Sequence, residues 1–207
     1  MRIKKLKIGF EKLTKAKARI IAHLIGDGCA FKSNTDYNLK YDISDRELLN
    51  SFKNDIWRVY GLKLTIGLKP SGKTGKLLPF VRLRSKLAYE DLLSYSSYYS
   101  KDWILKNKFL NSSREIKREF LRALFDDEGS VVPQSKSAVI RLYSINLKGL
   151  KQIEKILNDF DVHSNLQGGY GARRNVYALI IKDLELFDGR IGFNLRRKQE
   201  RLNQFLK

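Results

Sequence analysis

The sequence predicts an α+β protein made of one αββαββα unit present twice. Three observations predict it. Two short segments ending in carboxylate-Gly, Ile20 to Gly28 and Leu121 to Gly129, match at an offset of 101 residues, which sets Asp27 on Glu128. The same offset carries Leu39, Tyr41, Leu49, Phe52, Ile56 and Val59 onto Ile140, Leu142, Leu150, Ile153, Leu157 and Phe160 without a gap. Stretches with helical spacing and with period-two alternation follow in the same order in both copies.

In the first copy, Ile20, Ile21, Leu24 and Ile25 give residues 14–27 one apolar helix face, and Gly28 is expected to stop that helix as its left-handed cap. Residues 38–43 alternate as a strand, with Leu39, Tyr41 and Ile43 toward the core. Asp45 is placed to cap a helix running to about Tyr60, with Leu48, Leu49, Phe52, Ile56 and Val59 on one side and Gly61 at its end. Leu62 to Ile66 and Phe80 to Arg84 alternate as strands around a hairpin loop at Pro70 to Lys76, and residues 86–95 read as a helix. The second copy predicts a helix over 114–128 opened by Ser112 or Ser113, and a strand from Ser137 to Ser144. A helix over 147–160, hairpin strands flanking Gly168 to Gly171, and a charged helix from Leu195 to Lys207 complete it. The chain divides into an N-terminal half at 1–107, a linker at 108–115 and a C-terminal half at 116–207.

The 207 residues carry a formal net charge of +19, and 43% of them are hydrophobic. That composition fits a globular fold, and the charge excess calls for a polyanionic partner. A single cysteine, Cys29, excludes an intramolecular disulfide. No apolar run is long enough for a membrane span, and the start Met1-Arg2-Ile3-Lys4-Lys5 has no apolar region behind it. The expectation is a soluble, intracellular protein, cytoplasmic if prokaryotic.

Repeats pack about an axis, which puts like elements side by side. Ala22 and Gly26 lie four apart on one helix face, where small residues permit close helix approach. If the two motif helices cross there, at a pseudo-two-fold interface, Asp27 and Glu128 converge. Two carboxylates at two negative helix ends repel each other, and a hard divalent cation with oxygen ligands resolves the conflict. Acidic pair, metal and basic surface together point to phosphodiester hydrolysis. Of the two histidines, His23 reads as a core residue and His163 as structural, which leaves activated water as the base.

The segments ending at Gly28 and Gly129 resemble the defining motif of the LAGLIDADG homing endonucleases, and the resemblance covers nearly the whole chain. It implies motif helices at the interface and two curved antiparallel four-stranded sheets forming a DNA-binding saddle. It also implies metal-dependent cleavage of both strands of a long, asymmetric duplex site by a monomer. Mg²⁺ is the implied ion, with Mn²⁺ as a substitute and Ca²⁺ binding without supporting cleavage. Asp27 and Glu128 match the metal-binding acids, and the Gly26 and Asp127 carbonyls match the further ligands. The pattern is broken by His23, Arg122 and Asp127. Asp127 replaces a small residue at the helix crossing, so that crossing is expected to be looser or tuned by a polar contact. Lys86, and Lys182 at a similar place, match a basic residue that would polarise the scissile phosphate or organise the attacking water. Asp45 and Asn146 match a region that positions solvent.

On such a saddle the outward strand positions would read DNA in the major groove. In the first copy these are Asn38, Lys40, Asp42, Lys63, Thr65, Lys69, Arg82 and Arg84, with Lys73 and Lys76 in the hairpin loop. In the second they are Arg141, Tyr143, Asn165, Gln167, Arg173, Arg174 and Tyr177. Arg2, Lys4, Lys5, Lys7, Lys12, Lys15 and Lys17 read equally as a phosphate-contacting arm or as a disordered tail. The alternatives are an intron RNA maturase on the same scaffold, and a non-catalytic DNA-binding regulator.

Overall fold

The structure, a computed structural model, describes residues 7–71, 75–135, 137–172 and 174–206. The first unit runs α1 (Lys15–Ile25), β1 (Gly28–Ser33), β2 (Asp36–Asp42), α2 (Arg46–Tyr60), β3 (Gly67–Pro70), β4 (Leu77–Arg84) and α3 (Lys86–Leu93). After a short helix, α4 (Asn107–Leu110), the second runs α5 (Arg114–Glu128), β5 (Gly129–Pro133), β6 (Ala138–Ser144), α6 (Leu147–Asn158), β7 (Asn165–Tyr170), β8 (Val176–Ile181) and α7 (Leu184–Arg190). Helix α8 (Arg196–Asn203) follows. Each unit folds into one four-stranded antiparallel sheet, in the orders β1-β2-β4-β3 and β5-β6-β8-β7. The duplication read from the sequence is thus repeated strand for strand.

One hydrophobic core joins the helices to one face of both sheets. All twelve residues paired by the offset, from Leu39 with Ile140 to Val59 with Phe160, are buried. Each such side chain contributes about 1.5–3 kcal/mol on leaving water, so the repeated pattern is the repeated core.

Helix starts follow their caps. Thr14 accepts from Lys17 N, Asp45 from Glu47 N, Ser113 from Ile116 N and Asn146 from Gly149 N. Gly61 ends α2 in the left-handed conformation, at φ 71°. Gly28 does not act that way. Helix α1 already ends at Ile25, and a Cβ on Gly28 would lie 2.6 Å from the His23 carbonyl oxygen. Gly129 meets Phe125 likewise, at 2.5 Å. Both glycines let the first strand turn back against its own motif helix.

Several boundaries differ from the expectation. Residues 62–66 form no strand: β4 pairs with Gly67–Pro70 instead, and Leu62 is buried in the core beside them. Gly168 and Gly169 lie inside β7 rather than in its turn. The charged C-terminal helix is shorter, at Arg196–Asn203. Helix α5 begins at Arg114, inside the stretch read as linker, and the connection ahead of it is folded. Ser96 bridges Leu105, and Gln152 of α6 both accepts from Leu105 N and donates to Leu105 O, each at 2.9 Å. Gly149 leaves room for the Trp103 ring, which a Cβ would meet at 2.5 Å.

Candidate active site and nucleic-acid interface

Helices α1 and α5 run side by side in the same direction, joined by a ladder of unlike partners. Lys15 meets Glu115 at 2.9 Å, Arg19 meets Glu119, and His23 meets Asp127 at 3.1 Å. Partners that advance together from start to end require parallel helices, so both carboxyl ends arrive at one place. Gly26 packs directly on Asp127, where an added Cβ would lie 2.7 Å from Oδ2.

Asp27, in the turn after α1, and Glu128, the last residue of α5, therefore share a site. Burial first, then the charges of Asp27 and Asp127, pushes Glu128 up to about 7. Asp27 keeps solvent exposure, yet crowding and Asp127 push it up to about 6. That Asp27 acts on Glu128 across the interface is the electrostatic mark of convergence. A cleft of about 290 Å³, with Ile25, Trp103 and Leu124 among its walls, borders Glu128 and helps to desolvate it.

Asp127 is the polar contact that tunes the crossing. Its buried carboxylate accepts from Tyr41 Oη at 2.6 Å and pairs with His23 Nδ1. Burial works against the His23 imidazolium, but the charge and hydrogen bond of Asp127 override it and raise its value. The motif departures at His23 and Asp127 are therefore two halves of one bond.

Sequence reasoning missed Lys198. Its ammonium donates to the carbonyls of Phe125, Asp126, Asp127 and Gly129, at 3.0, 2.5, 3.2 and 2.6 Å. A cation at the negative end of a helix is favourable, and this one also lowers the values of both site acids. It contacts the same Asp127 carbonyl that the family resemblance assigns to a metal. Asp126 holds α8 in place for this: its Oδ1 accepts from Asn194 N and Leu195 N at 3.0 and 2.9 Å. No local pattern announces such a role, because the target lies some seventy residues away in the chain.

Other expected site residues are not gathered here. Asn146 Oδ1 caps α6 and Nδ2 donates to Trp103 O at 2.6 Å, so the structure commits this side chain to the start of α6 rather than bringing it to the acids, a correction to its expected place. Asp45 caps α2 and pairs with Arg197 at 3.0 Å. Lys86 is a second correction. Ser85 N bonds Tyr37 O, whereas Gly28 sits opposite Tyr41, so Lys86 lies about 13 Å along the sheet from the acids. Its ammonium faces Glu90 and the Tyr37 ring. Lys182 is exposed past β8, about 10 Å along from the register of Gly129.

Register sorts the DNA-facing candidates. Lys40, Lys69, Arg82 and Arg84 share the helix-free face of the first sheet, and Arg141, Tyr143 and Gln167 that of the second. Tyr177 is a correction: it shares the face of Leu179 and packs on the main core. Lys63 is exposed but lies ahead of β3, and Lys76 and Arg174 are exposed in the hairpin loops. Lys73 and Arg173 fall outside the described residues, as do Arg2, Lys4 and Lys5 of the arm. Lys17 is no phosphate contact, being fully buried in a 2.7 Å pair with Asp91. Among the described residues no helix is long and apolar enough to cross a membrane.

Residues 115–192 match the LAGLIDADG-like domain family. No curated protein matches the sequence. Among solved structures the chain is similar to I-DmoI in complex with DNA and Mn, with a TM-score of 0.63 and 17% identity over 87% of this chain and 97% of that one. It is similar also to the homing endonuclease I-WcaI bound to its DNA recognition sequence, with a TM-score of 0.68 and 16% identity over 92% of this chain and 87% of that one. A third likeness is to the N-terminal LAGLIDADG domain of DUF199/WhiA, with a TM-score of 0.61 and 14% identity over 97% and 91% of the two chains. Residues 115–192 of this protein thus match a LAGLIDADG-like domain, and the whole chain shares its duplicated fold with the homing endonucleases I-DmoI and I-WcaI.

Proposed function

We propose that this protein is a site-specific endonuclease that cuts double-stranded DNA with the help of Mg²⁺, acting as a monomer because the duplication supplies both halves of the site. The observation that carries the proposal is the convergence of Asp27 and Glu128 at the carboxyl ends of two parallel helices, each acid made harder to ionise by the protein crowded around it and by neighbouring negative charge. The residues fit a hard divalent ion. The two destabilised carboxylates and the Gly26 carbonyl would form an oxygen donor set, which the Asp127 carbonyl joins only if Lys198 releases it. Among the described residues no group of three or more His, Cys, Asp or Glu side chains gathers as a metal site. The remaining ligands would then be water and phosphate oxygens, as Mg²⁺ prefers. Mn²⁺, present with DNA in the similar I-DmoI structure, would substitute, and Ca²⁺ would bind without supporting cleavage.

Asp27 and Glu128 would hold the ions, which supply charge for the phosphate and acidify water. Lys198 fixes the end of α5 and thereby the direction of Glu128. The helix-free sheet faces, with Lys40, Lys69, Arg82 and Arg84 on the first and Arg141 on the second, hold the duplex across the site. A maturase acting on intron RNA would have no need of the two acids, and their convergence favours cutting. A plasmid library containing the natural insertion sequence tests this. Linear product is expected with Mg²⁺, none with EDTA, and at least about a hundredfold less with Asp27→Asn or Glu128→Gln. Cleavage that survives either substitution would refute the assignment.

A further inference from the structure

A cluster of positive charge lies among the helices of the C-terminal half. Arg114, Glu115 and Arg118 of α5, Phe160 just after α6, and Gly189 and Arg190 at the end of α7 line a cleft of about 190 Å³. No strand contributes a wall, which sets the cleft apart from the sheet faces expected to hold a duplex. Along α5, Arg118 stands ten residues before Glu128, about 15 Å from the acid pair.

Three guanidinium groups meet here with too little negative charge to balance them. Arg114 and Arg118 are four residues apart on one face of α5, where like charges repel. Arg114 is also the first residue of that helix, at the positive pole, where a cation is unfavourable. The carboxylates nearby are engaged otherwise. Glu115 pairs with Lys15 at 2.9 Å, Asp159 with Lys117 at 2.8 Å, and Glu119 with Arg19 and Arg122. Asp188 accepts from Gln199 at 2.6 Å. Arg114 has a 3.7 Å approach to Asp161, both side chains being more than half exposed, and such a pair is weak. Its guanidinium lies 4.8 Å from the Phe160 ring centre, which fixes it beside the cleft. Arg118 is half-buried and Arg190 exposed, and neither has a hydrogen-bond or ion-pair partner among the described residues. The Nε of Arg118 is buried in that state. A buried donor without an acceptor is costly, and an oxyanion entering the cleft would supply one. The crowding of charge extends to Arg122, whose value is lowered by burial first and then by Arg118.

We propose that this cleft is a second anion site, which binds a phosphate group between Arg118 and Arg190 with Arg114 at its rim. Guanidinium groups hold phosphate through paired N–H bonds, and each such bond is charge-assisted. The phosphate is either free or carried by a nucleotide. The site is separate from the acid pair and holds whether or not the chain cuts DNA. The full chain, free of metal and at low salt, is titrated calorimetrically with inorganic phosphate, with adenosine 5′-monophosphate and with adenosine. Saturable binding of inorganic phosphate is expected. It should weaken at least about tenfold in Arg118→Gln and in Arg190→Gln, because each removes a charge-assisted contact. Nucleotide binding tighter than that of phosphate, with none of adenosine, assigns the site to a nucleotide. Equal binding of phosphate and nucleotide assigns it to the phosphate group alone. At fixed ionic strength, phosphate should also raise the unfolding midpoint of the parent more than that of either variant. If Arg118→Gln does not fold, Arg190→Gln carries the test, since that side chain is exposed and has no partner among the described residues. No saturable phosphate binding, or binding that Arg190→Gln leaves unchanged, overturns the proposal.

Discussion

At the scale of single residues, two carboxylates sit at the negative poles of two helices and beside each other. Their folded values, about 6 for Asp27 and about 7 for Glu128, lie above the usual range near 4. Between those limits the folded protein keeps protons that the unfolded chain releases. Stability therefore falls as pH rises from about 4 to about 7, and the cost is complete above 7. Asp27→Asn and Glu128→Gln remove a destabilised charge. Without metal, each is expected to unfold at a higher temperature than the parent at pH 8, and at about the same temperature at pH 4. Mg²⁺ should raise the midpoint of the parent at pH 8 but not at pH 5, because protonated acids do not bind it. Scanning calorimetry across pH checks both. A parent whose stability rises between pH 5 and pH 8 without metal would contradict the geometry.

At the scale of elements, the pairing of α1 with α5 is specified by charge as well as by shape. Helix α1 supplies Lys15, Arg19 and His23, and α5 supplies Glu115, Glu119 and Asp127. Two copies of either helix would repel along this line, which favours α1 against α5 within one chain. The central rung is mostly buried, and Arg19 also grips Asp55 through two 2.7 Å bonds. Glu119→Arg would set two guanidinium groups against each other there. It is expected to cost about 3–5 kcal/mol by urea unfolding. Arg19→Glu combined with Glu119→Arg should recover part of that, but not the share belonging to Asp55. A double mutant that shows no coupling would mean that the ladder does not hold the helices.

At the scale of the whole molecule, a net charge of +19 on 207 residues is self-repulsive until a polyanion neutralises it. If the sheet faces and hairpin loops make about 6–10 phosphate contacts, duplex affinity should fall about 10³- to 10⁵-fold between 50 and 200 mM salt. Filter binding with Ca²⁺ in place of Mg²⁺ measures this, and a flat response would remove the phosphate contacts. Single-residue changes on the sheet faces should separate into two kinds. Loss of a lysine that holds phosphate would lower the salt slope, whereas loss of Arg82 or Arg141 would relax base preference.

The sequence by itself determined the duplication, the order of the elements, the apolar residues that fill the core, and the acid pair. These are written in local periodicity and in one constant offset, and all twelve apolar residues that the offset pairs are buried. Only the tertiary structure decided the rest, because hydrogen-bond partners and strand register are set between segments far apart in the chain. It moved β3 past residues 62–66, turned Tyr177 to the core, committed Asn146 to a cap, and put Lys86 at the far end of its sheet. It also joined His23 to Asp127 and brought Lys198 onto the end of α5. A side chain's type is local information, whereas the group it meets depends on how the whole chain closes.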